Sequence, residues 1–456
     1  MRRCSILLLA VLAGCRAQGP ASAPAPPGTI ALRFGTLVTE NGPPVRDAVV
    51  VVRGDRIVSV GSGEAAVPRG AAVTDLRRFT GIPGMVDVHT HMTYFWDQAP
   101  GTCAFGPNNT RRSPTELAVA AMANAKLTLE TGVTSVRDLG ASNYVDIMMR
   151  DRINHGEAVG PRMFVSGYGL SKPRTPPTAP PGAAGAAGAA GAGGRTGAGG
   201  AGGRGAATPG WMRGQITDIA QIDGAVRTQA DSGADVIKMY GSRGTGADTS
   251  TTQTFTYEEM KAAVDAAHKY GKRIAIHSYG ASGGRDAVRA GTNTLEHAIE
   301  LDDATLATMA RQGIIYVPTI DHNRYYADFR KAYCYSDEQA AGLDAYRAKN
   351  LETARRAIRA GVKLAMGSDA VHLMFGQNTR ELGFFVQAGM APAQALAAAT
   401  VTGAEVLGMT DRIGKVAPGY FADIVAVEGD PLADVRVTIN GVRWVMKGGA
   451  VVVNKP

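Results

Sequence analysis

The sequence has 456 residues, 45% hydrophobic and only 19% charged, which supplies a large core and excludes wholesale disorder. A formal net charge of +8 spread over this length is a mild bias, and four cysteines exclude a disulfide-dense scaffold. Glycine is in excess at 58 residues, so either the fold is rich in turns or one segment carries the surplus.

Residues 1–15 open on Met1-Arg2-Arg3, run through an apolar stretch from Ile6 to Ala13 and end on Gly14-Cys15. A basic start, a short apolar run and small residues describe a secretory signal, and the run is too short to span a bilayer. Leu12-Ala13-Gly14-Cys15 resembles the bacterial lipoprotein box. This implies an exported chain, periplasmic or outer-membrane-anchored, that touches membrane only through a lipid on Cys15. An ordinary cleaved signal is the alternative. Residues 16–28 are rich in Pro and Ala and read as an extended tether.

Residues 29–80 alternate in short β-rich runs, with Gly54-Asp55 as a hairpin turn, and residues 415–456 do the same. The two ends are expected to form one small β-sandwich domain. Residues 81–414 instead alternate apolar strands with helical stretches. Strands are predicted at 85–91, 134–139, 162–167, 235–240, 273–278, 294–299, 314–320 and 363–368. Helices are predicted at 114–130, 257–270 and 338–360, and Gly291 and Gly313 sit where helix C-caps belong. Eight β-then-α units predict an α/β fold, a (β/α)8 TIM barrel. An open doubly wound sheet is the alternative, weakened by the lack of a phosphate-binding glycine fingerprint.

A low-complexity segment, 173–210, interrupts this barrel. Its centre, 182–207, holds 12 Gly and 11 Ala and cannot pack a core. It reads as a solvated expansion, with a lid role as the other reading. Beyond the signal only Cys103 and Cys334 remain, either paired or as two separate thiols.

The eight histidines are few, and most fall at strand ends. His89 and His91 stand at i, i+2 on the first barrel strand, so both imidazoles share one face and can converge on a metal. His277, His297 and Asp369 end later strands. Lys238 lies inside the apolar run Val236-Ile237-Lys238-Met239-Tyr240, where an ammonium is costly to bury. A rim-seeking or paired lysine is the bland reading, and a carbamate made with CO2 the functional one.

The run Gly81-Ile82-Pro83-Gly84-Met85-Val86-Asp87-Val88-His89-Thr90-His91, with Lys238, His277, Glu296-His297 and Gly367-Ser368-Asp369 in order, resembles the amidohydrolase superfamily. The resemblance implies a binuclear site, most often Zn2+. His89, His91 and Asp369 would hold one ion and His277 and His297 the other. Carboxylated Lys238 and a hydroxide would bridge them. Asp369 would take the hydroxide proton and pass it to the leaving amine. The runs 153–167, 236–244 and 381–409 further resemble the Xaa-Pro dipeptidase, metallo-carboxypeptidase and ochratoxin hydrolase group, often labelled imidazolonepropionase-like. That implies hydrolysis of the amide before a C-terminal amino acid, in a small peptide or N-acyl amino acid.

Substrate-contacting candidates follow from strand phase. Tyr240, two past Lys238, shares the inward face, and it is also placed with the catalytic groups. His322 after the seventh strand and Tyr279 two past His277 are further candidates, with Arg324 and His372 weaker ones. His155 and His268 read as structural, and Thr93–Asp97 supplies aromatic wall material of a kind that more often packs than recognises a substrate. Each of Tyr240 and His322 has an alternative as ordinary packing or surface loop. A lactone or cyclic-amide hydrolase with the same site, and a non-catalytic surface binding protein, are the rival functions. No nucleic-acid partner is expected, and a homo-oligomer is left open.

Overall fold

A computed structural model describes residues 26–39, 42–104, 112–173 and 208–455. The signal, Cys15, most of the tether and the 182–207 segment lie outside the described residues.

The two chain ends build one mixed sheet. Its strands are β1 (Thr29–Leu37), β2 (Val45–Arg53), β3 (Arg56–Ser62), β4 (Ala72–Pro83), β12 (Ile424–Val427), β13 (Val442–Lys447) and β14 (Ala450–Asn454). Their order is β14-β13-β12-β4-β1-β2-β3, so strands from both chain ends share one seven-stranded sheet. The reason is β4, which pairs in parallel with β1 and antiparallel with β12, joining the N- and C-terminal strands in one ladder. The sheet curls: Arg56 on edge strand β3 bridges Phe421, just before β12. Leu32, Phe34, Val50, Ile424 and Trp444 fill its own core.

Between these ends lie seven parallel strands. β5 (Met85–Thr90), β6 (Val133–Asp138) and β7 (Arg162–Val165) form one sheet. β8 (Val236–Tyr240), β9 (Arg273–Ser278), β10 (Thr294–His297) and β11 (Ile315–Val317) form another. Helices such as Pro114–Glu130, Tyr257–Lys269 and Asp303–Gln312 connect successive strands, each opened by a Ser, Thr or Asp that accepts from the first turn. Gly291 and Gly313 close two helices in the left-handed region, at φ 88° and 69°, which lets the chain reverse into β10 and β11.

Some predicted strands are shorter or irregular. The one predicted at 363–368 is not a regular strand: Leu364 bridges Tyr316, Ala370 bridges Thr90, and Asp369 turns the backbone at φ 52°. β10 stops at His297, whose φ is 69°, and β11 stops before Pro318, which has no N–H to give, and Thr319 at φ 51°. A third parallel bridge, Leu170 to Met239, links the two parallel sheets. A large apolar core, including Ile237, Ile276, Leu295 and Met366, sits between strands and helices.

Cys103 and Cys334 are disulfide-bonded, with Cα atoms 5.7 Å apart. Among the described residues, no helix is long and apolar enough to cross a membrane.

Candidate metal centre

The site lies at the C-terminal ends of the parallel strands. β5 ends in His89-Thr90 with His91 next, β8 carries Lys238, β9 carries His277 and β10 ends in His297. All are buried, Lys238 to 1% exposure. Asp369 stands between them: its Oδ1 is 3.2 Å from His91 Nε2 and 3.5 Å from His89 Nε2. Lys238 Nζ is 3.4 Å from His89 Nε2. The ring centroid of His297 is 5.0 Å from His89 and 4.5 Å from His277. The structure thus gathers the six predicted ligand positions. The tightest subset is His89, His297 and Asp369, whose ligand atoms all lie within 4.8 Å of one another.

The ring nitrogens facing away from Asp369 are tied down. His89 Nδ1 donates to Glu296 Oε2 at 2.8 Å, His297 Nδ1 meets Thr319 Oγ1 at 2.6 Å, and His322 Nδ1 donates to the Asp369 carbonyl at 2.8 Å. With its Nδ1 held by a carboxylate, His89 keeps its Nε2 lone pair for a cation, as metal-bound histidines do, whereas the Thr319 hydroxyl can either accept from His297 Nδ1 or donate to it. The Nε2 of His277 is buried with no hydrogen-bond partner. An orphaned imidazole nitrogen beside a buried carboxylate is costly unless an ion satisfies it, so this donor set fits a divalent metal.

Electrostatics agree. Burial, then the neighbouring Lys238, lowers His89 to about 4 and holds His277 well below the ordinary histidine value. Neutral rings with free lone pairs are what a metal needs. Burial lowers Lys238 to about 8, so an appreciable share is neutral amine near pH 7. Burial disfavours ionised Asp369, but His322, His89 and His91 around it outweigh that and keep it a carboxylate.

Three groups sit at the mouth. The Tyr240 ring is 5.8 Å from His277, and its hydroxyl donates to the Leu139 carbonyl at 3.5 Å. Burial holds the Tyr240 phenol well above its usual value, so it stays a donor. His322 places Nε2 3.2 Å from Asp369 Oδ2, and Tyr279 stacks on His277 at 5.0 Å. Arg324 turns away, pairing with Asp321 and Asp328. His372 lies between Tyr94 and Tyr333, at 6.1 and 5.9 Å, while His155 and His268 sit on exposed helix ends.

Sequence reasoning left several supporting residues without a role. Arg137 on β6 donates to Glu296 Oε1 at 2.8 Å, and Thr294 reaches the same oxygen at 2.5 Å. Asp87, two before His89, accepts from Ser368 Oγ at 2.6 Å and Asn378 Nδ2 at 2.9 Å, locking the Asp369 segment against β5. An arginine inside a predicted barrel strand, Thr134-Ser135-Val136-Arg137-Asp138, was the available signal for Arg137. Glu296 and His297 both face inward, because the left-handed backbone at His297 breaks strand alternation. Thr319, Asp369 and His372 are left-handed too. Such strain collects where side chains must be aimed.

The amidohydrolase family model matches residues 80–452, a span that includes every residue of this centre. The chain is an amidohydrolase. It is similar to ochratoxinase of Aspergillus niger, 29% identical over 432 residues that cover 91% of this chain and 85% of that one. It is also similar to an imidazolonepropionase of Geobacillus thermodenitrificans, 26% identical over 44% of each chain. Among solved structures, a Xaa-Pro dipeptidase with bound methionine in its active site superposes with a TM-score of 0.78 at 28% identity, covering 93% of this chain and 99% of that one. Ochratoxinase superposes at 0.73 and 26% identity, covering 94% and 96%. This member of the amidohydrolase family therefore shares its overall build with a Xaa-Pro dipeptidase and with ochratoxinase.

Proposed function

We propose that this amidohydrolase hydrolyses the amide bond before a C-terminal amino acid, in dipeptides or N-acyl amino acids, at a binuclear centre, with zinc favoured by the chemistry of a His/carboxylate donor set. The observation that carries this is the convergence on Asp369 of His89, His91 and His322, with His277 Nε2 left unsatisfied beside them. His89, His91 and Asp369 would hold one ion, His277 and His297 the other, and Lys238, as its carbamate, would bridge. The lowered pKa of buried Lys238 supports that last step, since only a neutral amine adds to CO2. When bound, two such ions activate a water and polarise the scissile carbonyl.

The chain's own groups do the rest. Asp369, oriented by His322, takes a proton from the attacking water and returns it to the leaving amine. Tyr240, kept protonated, donates to the substrate carbonyl or carboxylate, and Tyr279 lines the pocket. Both nitrogens of His322 face Asp369, so for it to meet the substrate carboxylate, as the sequence pattern suggests, Nε2 would have to leave Asp369 Oδ2. The parallel strands read as a closed (β/α)8 barrel, which the three bridges at Leu170, Leu364 and Ala370 support. The Met1–Cys15 pattern supports an exported lipoprotein. Loss of a labelled lipid in Cys15→Ala would test it.

The deciding experiment offers the full chain, loaded with zinc in bicarbonate, a library of dipeptides, N-acyl amino acids and lactones with product detection. Release of free C-terminal amino acids is the expected result. Turnover of lactones alone would replace this reading with that of a cyclic-ester hydrolase.

A further inference from the structure

A groove separate from the metal centre is lined by three arginines. Residues of the helices Ile320–Asp328, Asp337–Arg359, Glu381–Gln387 and Arg436–Asn440 form it, and its volume is about 590 Å³. Arg324, Arg347 and Arg380 line it together with Asp321, Phe384 and Ile439, and none of the six ligand positions borders it. Among the described residues of this lining Asp321 is the one acid. Asp321 is buried and gripped from two sides, by Arg324 Nη2 on Oδ1 at 2.8 Å and by Arg380 Nε on Oδ2 at 3.5 Å. Its single charge offsets one guanidinium of the three.

Two further carboxylates touch these arginines from outside the groove. Arg324 Nη1 meets Asp328 at 2.9 Å and Arg347 Nε meets Asp344 at 3.2 Å. Both acids are about half exposed, at 49% and 54%, and surface pairs within one helical turn contribute little. Arg380 Nη1 donates to Gln377 Oε1. Among the described residues, Nη1 and Nη2 of Arg347 and Nη2 of Arg380 have no hydrogen-bond partner. The groove also has an apolar side: Phe384, with the Arg324 guanidinium 5.8 Å from its ring centroid, and Ile439. Gly383 keeps the space beside them open, since the nearest neighbour of a Cβ there would be Ile439 Cδ1 at 3.8 Å.

We propose that this groove binds a small organic oxyanion, its carboxylate or phosphate held by Arg347 and Arg380 and its flat apolar body laid against Phe384 and Ile439. A guanidinium presents its N–H groups as a planar fork that matches two oxygens of such an anion. Positive charge in excess within a groove raises the local concentration of anions. An aromatic ring beside the charges favours a ligand with a flat body over a bare ion. The volume suits a small organic molecule. The site stands apart from the substrate proposed for the metal centre and holds whichever substrate that is.

The test titrates benzoate, phenyl phosphate, acetate and inorganic phosphate into the zinc-loaded full chain and reads binding by calorimetry. Benzoate or phenyl phosphate should bind, the tighter of the two telling a carboxylate site from a phosphate site. The matching anion without a ring, acetate or inorganic phosphate, should bind about tenfold more weakly. Arg347→Gln removes one fork and should weaken the aryl anion about tenfold, the scale of one charge-assisted hydrogen bond. Gly383→Leu leaves all three arginines in place, fills the space beside Ile439 and should abolish binding. It also replaces a helical glycine by a better helix former, which guards against a variant that folds poorly. An anion held by the metals instead would bind both variants as it binds the wild type, and that result overturns the proposal. So does the absence of aryl-anion binding to the wild type, or a bare anion that binds as tightly as its aryl counterpart.

Discussion

The Nδ1 of His89 donates to Glu296, and the other carboxylate oxygen of Glu296 is held by the Arg137 guanidinium, each at 2.8 Å. Burial alone would raise the Glu296 pKa, but Arg137 and then His89 reverse this and keep it ionised. The carboxylate fixes the His89 tautomer so that Nε2 faces the metal position. Glu296→Gln should therefore weaken metal binding about 10- to 100-fold, read by competition with a chromophoric chelator. It also leaves Arg137 buried without its counter-charge, so unfolding free energy should fall by about 3 kcal/mol. Unchanged metal affinity would remove Glu296 from the supporting shell.

Lys238 is the residue whose chemistry depends on conditions. Burial lowers its pKa to about 8 and its amine lies 3.4 Å from His89 Nε2, and under the proposed function it would carry the bridging carbamate. Metal-free chain reloaded with zinc should regain activity faster as bicarbonate is raised, and labelled bicarbonate should give a carbamate carbon signal. Lys238→Met should abolish both and lower the metal content per chain. Bicarbonate-independent reloading would argue for an unmodified lysine.

Much of this centre is legible in the sequence because strand phase is simple. His89 and His91 at i, i+2 must share a face, and a lysine in Val236–Tyr240 has few bland explanations. What the sequence hides is set by backbone departures from that phase. Glu296 and His297 are adjacent and should face opposite ways. Only the left-handed turn at His297 aims both inward. The predicted strand at 363–368 is reduced to an isolated bridge from Leu364 to Tyr316, and just beyond it the backbone turns left-handed at Asp369. The single seven-stranded sheet depends on β4 pairing with strands from both ends, a contact between distant segments that no local pattern encodes. The Cys103–Cys334 bond, 231 residues apart in sequence, is likewise a matter of three-dimensional proximity.

Glu381 gives a pH signature. Its two oxygens accept the backbone N–H groups of Ile320 and Asp321, each at 2.8 Å, fixing the start of the helix that carries His322. Burial nevertheless pushes its pKa up to about 8. In the unfolded chain the same carboxyl ionises near its ordinary value of about 4.3. The folded state thus binds the extra proton between these values, and the stability this carboxyl confers at low pH is lost as pH rises through about 8. The decline has a limiting slope of about 1.4 kcal/mol per pH unit. Glu381→Gln, which cannot ionise, should flatten that part of the profile. Urea midpoints of the two proteins from pH 5 to 9 check it, the difference between them cancelling the pH dependence of metal binding. Parallel profiles would mean that Glu381 is ionised throughout.

Gly169 makes room for Tyr240. A Cβ at Gly169 would lie 2.5 Å from Tyr240 Cε2 and 3.1 Å from Lys238 Cγ. Neither side can yield easily, because Leu170 exchanges backbone hydrogen bonds with β8, from its N to the Lys238 carbonyl and from Tyr240 N to its own carbonyl, both at 2.8 Å. Gly169→Ala must therefore rotate the tyrosine ring, carrying the hydroxyl away from the Leu139 carbonyl. The expected outcome is a fall in kcat/KM of about tenfold or more, since small displacements of a positioning group cost this much. Zinc content should stay unchanged, because no ligand atom is touched. The control is the pair of variants Tyr240→Leu and Gly169→Ala/Tyr240→Leu. If the glycine acts only through the tyrosine ring, adding the alanine to the leucine variant costs little further, and the two effects are far from additive. Full additivity would place the effect of Gly169 elsewhere in the strand, and leave Tyr240 without its claim on the substrate.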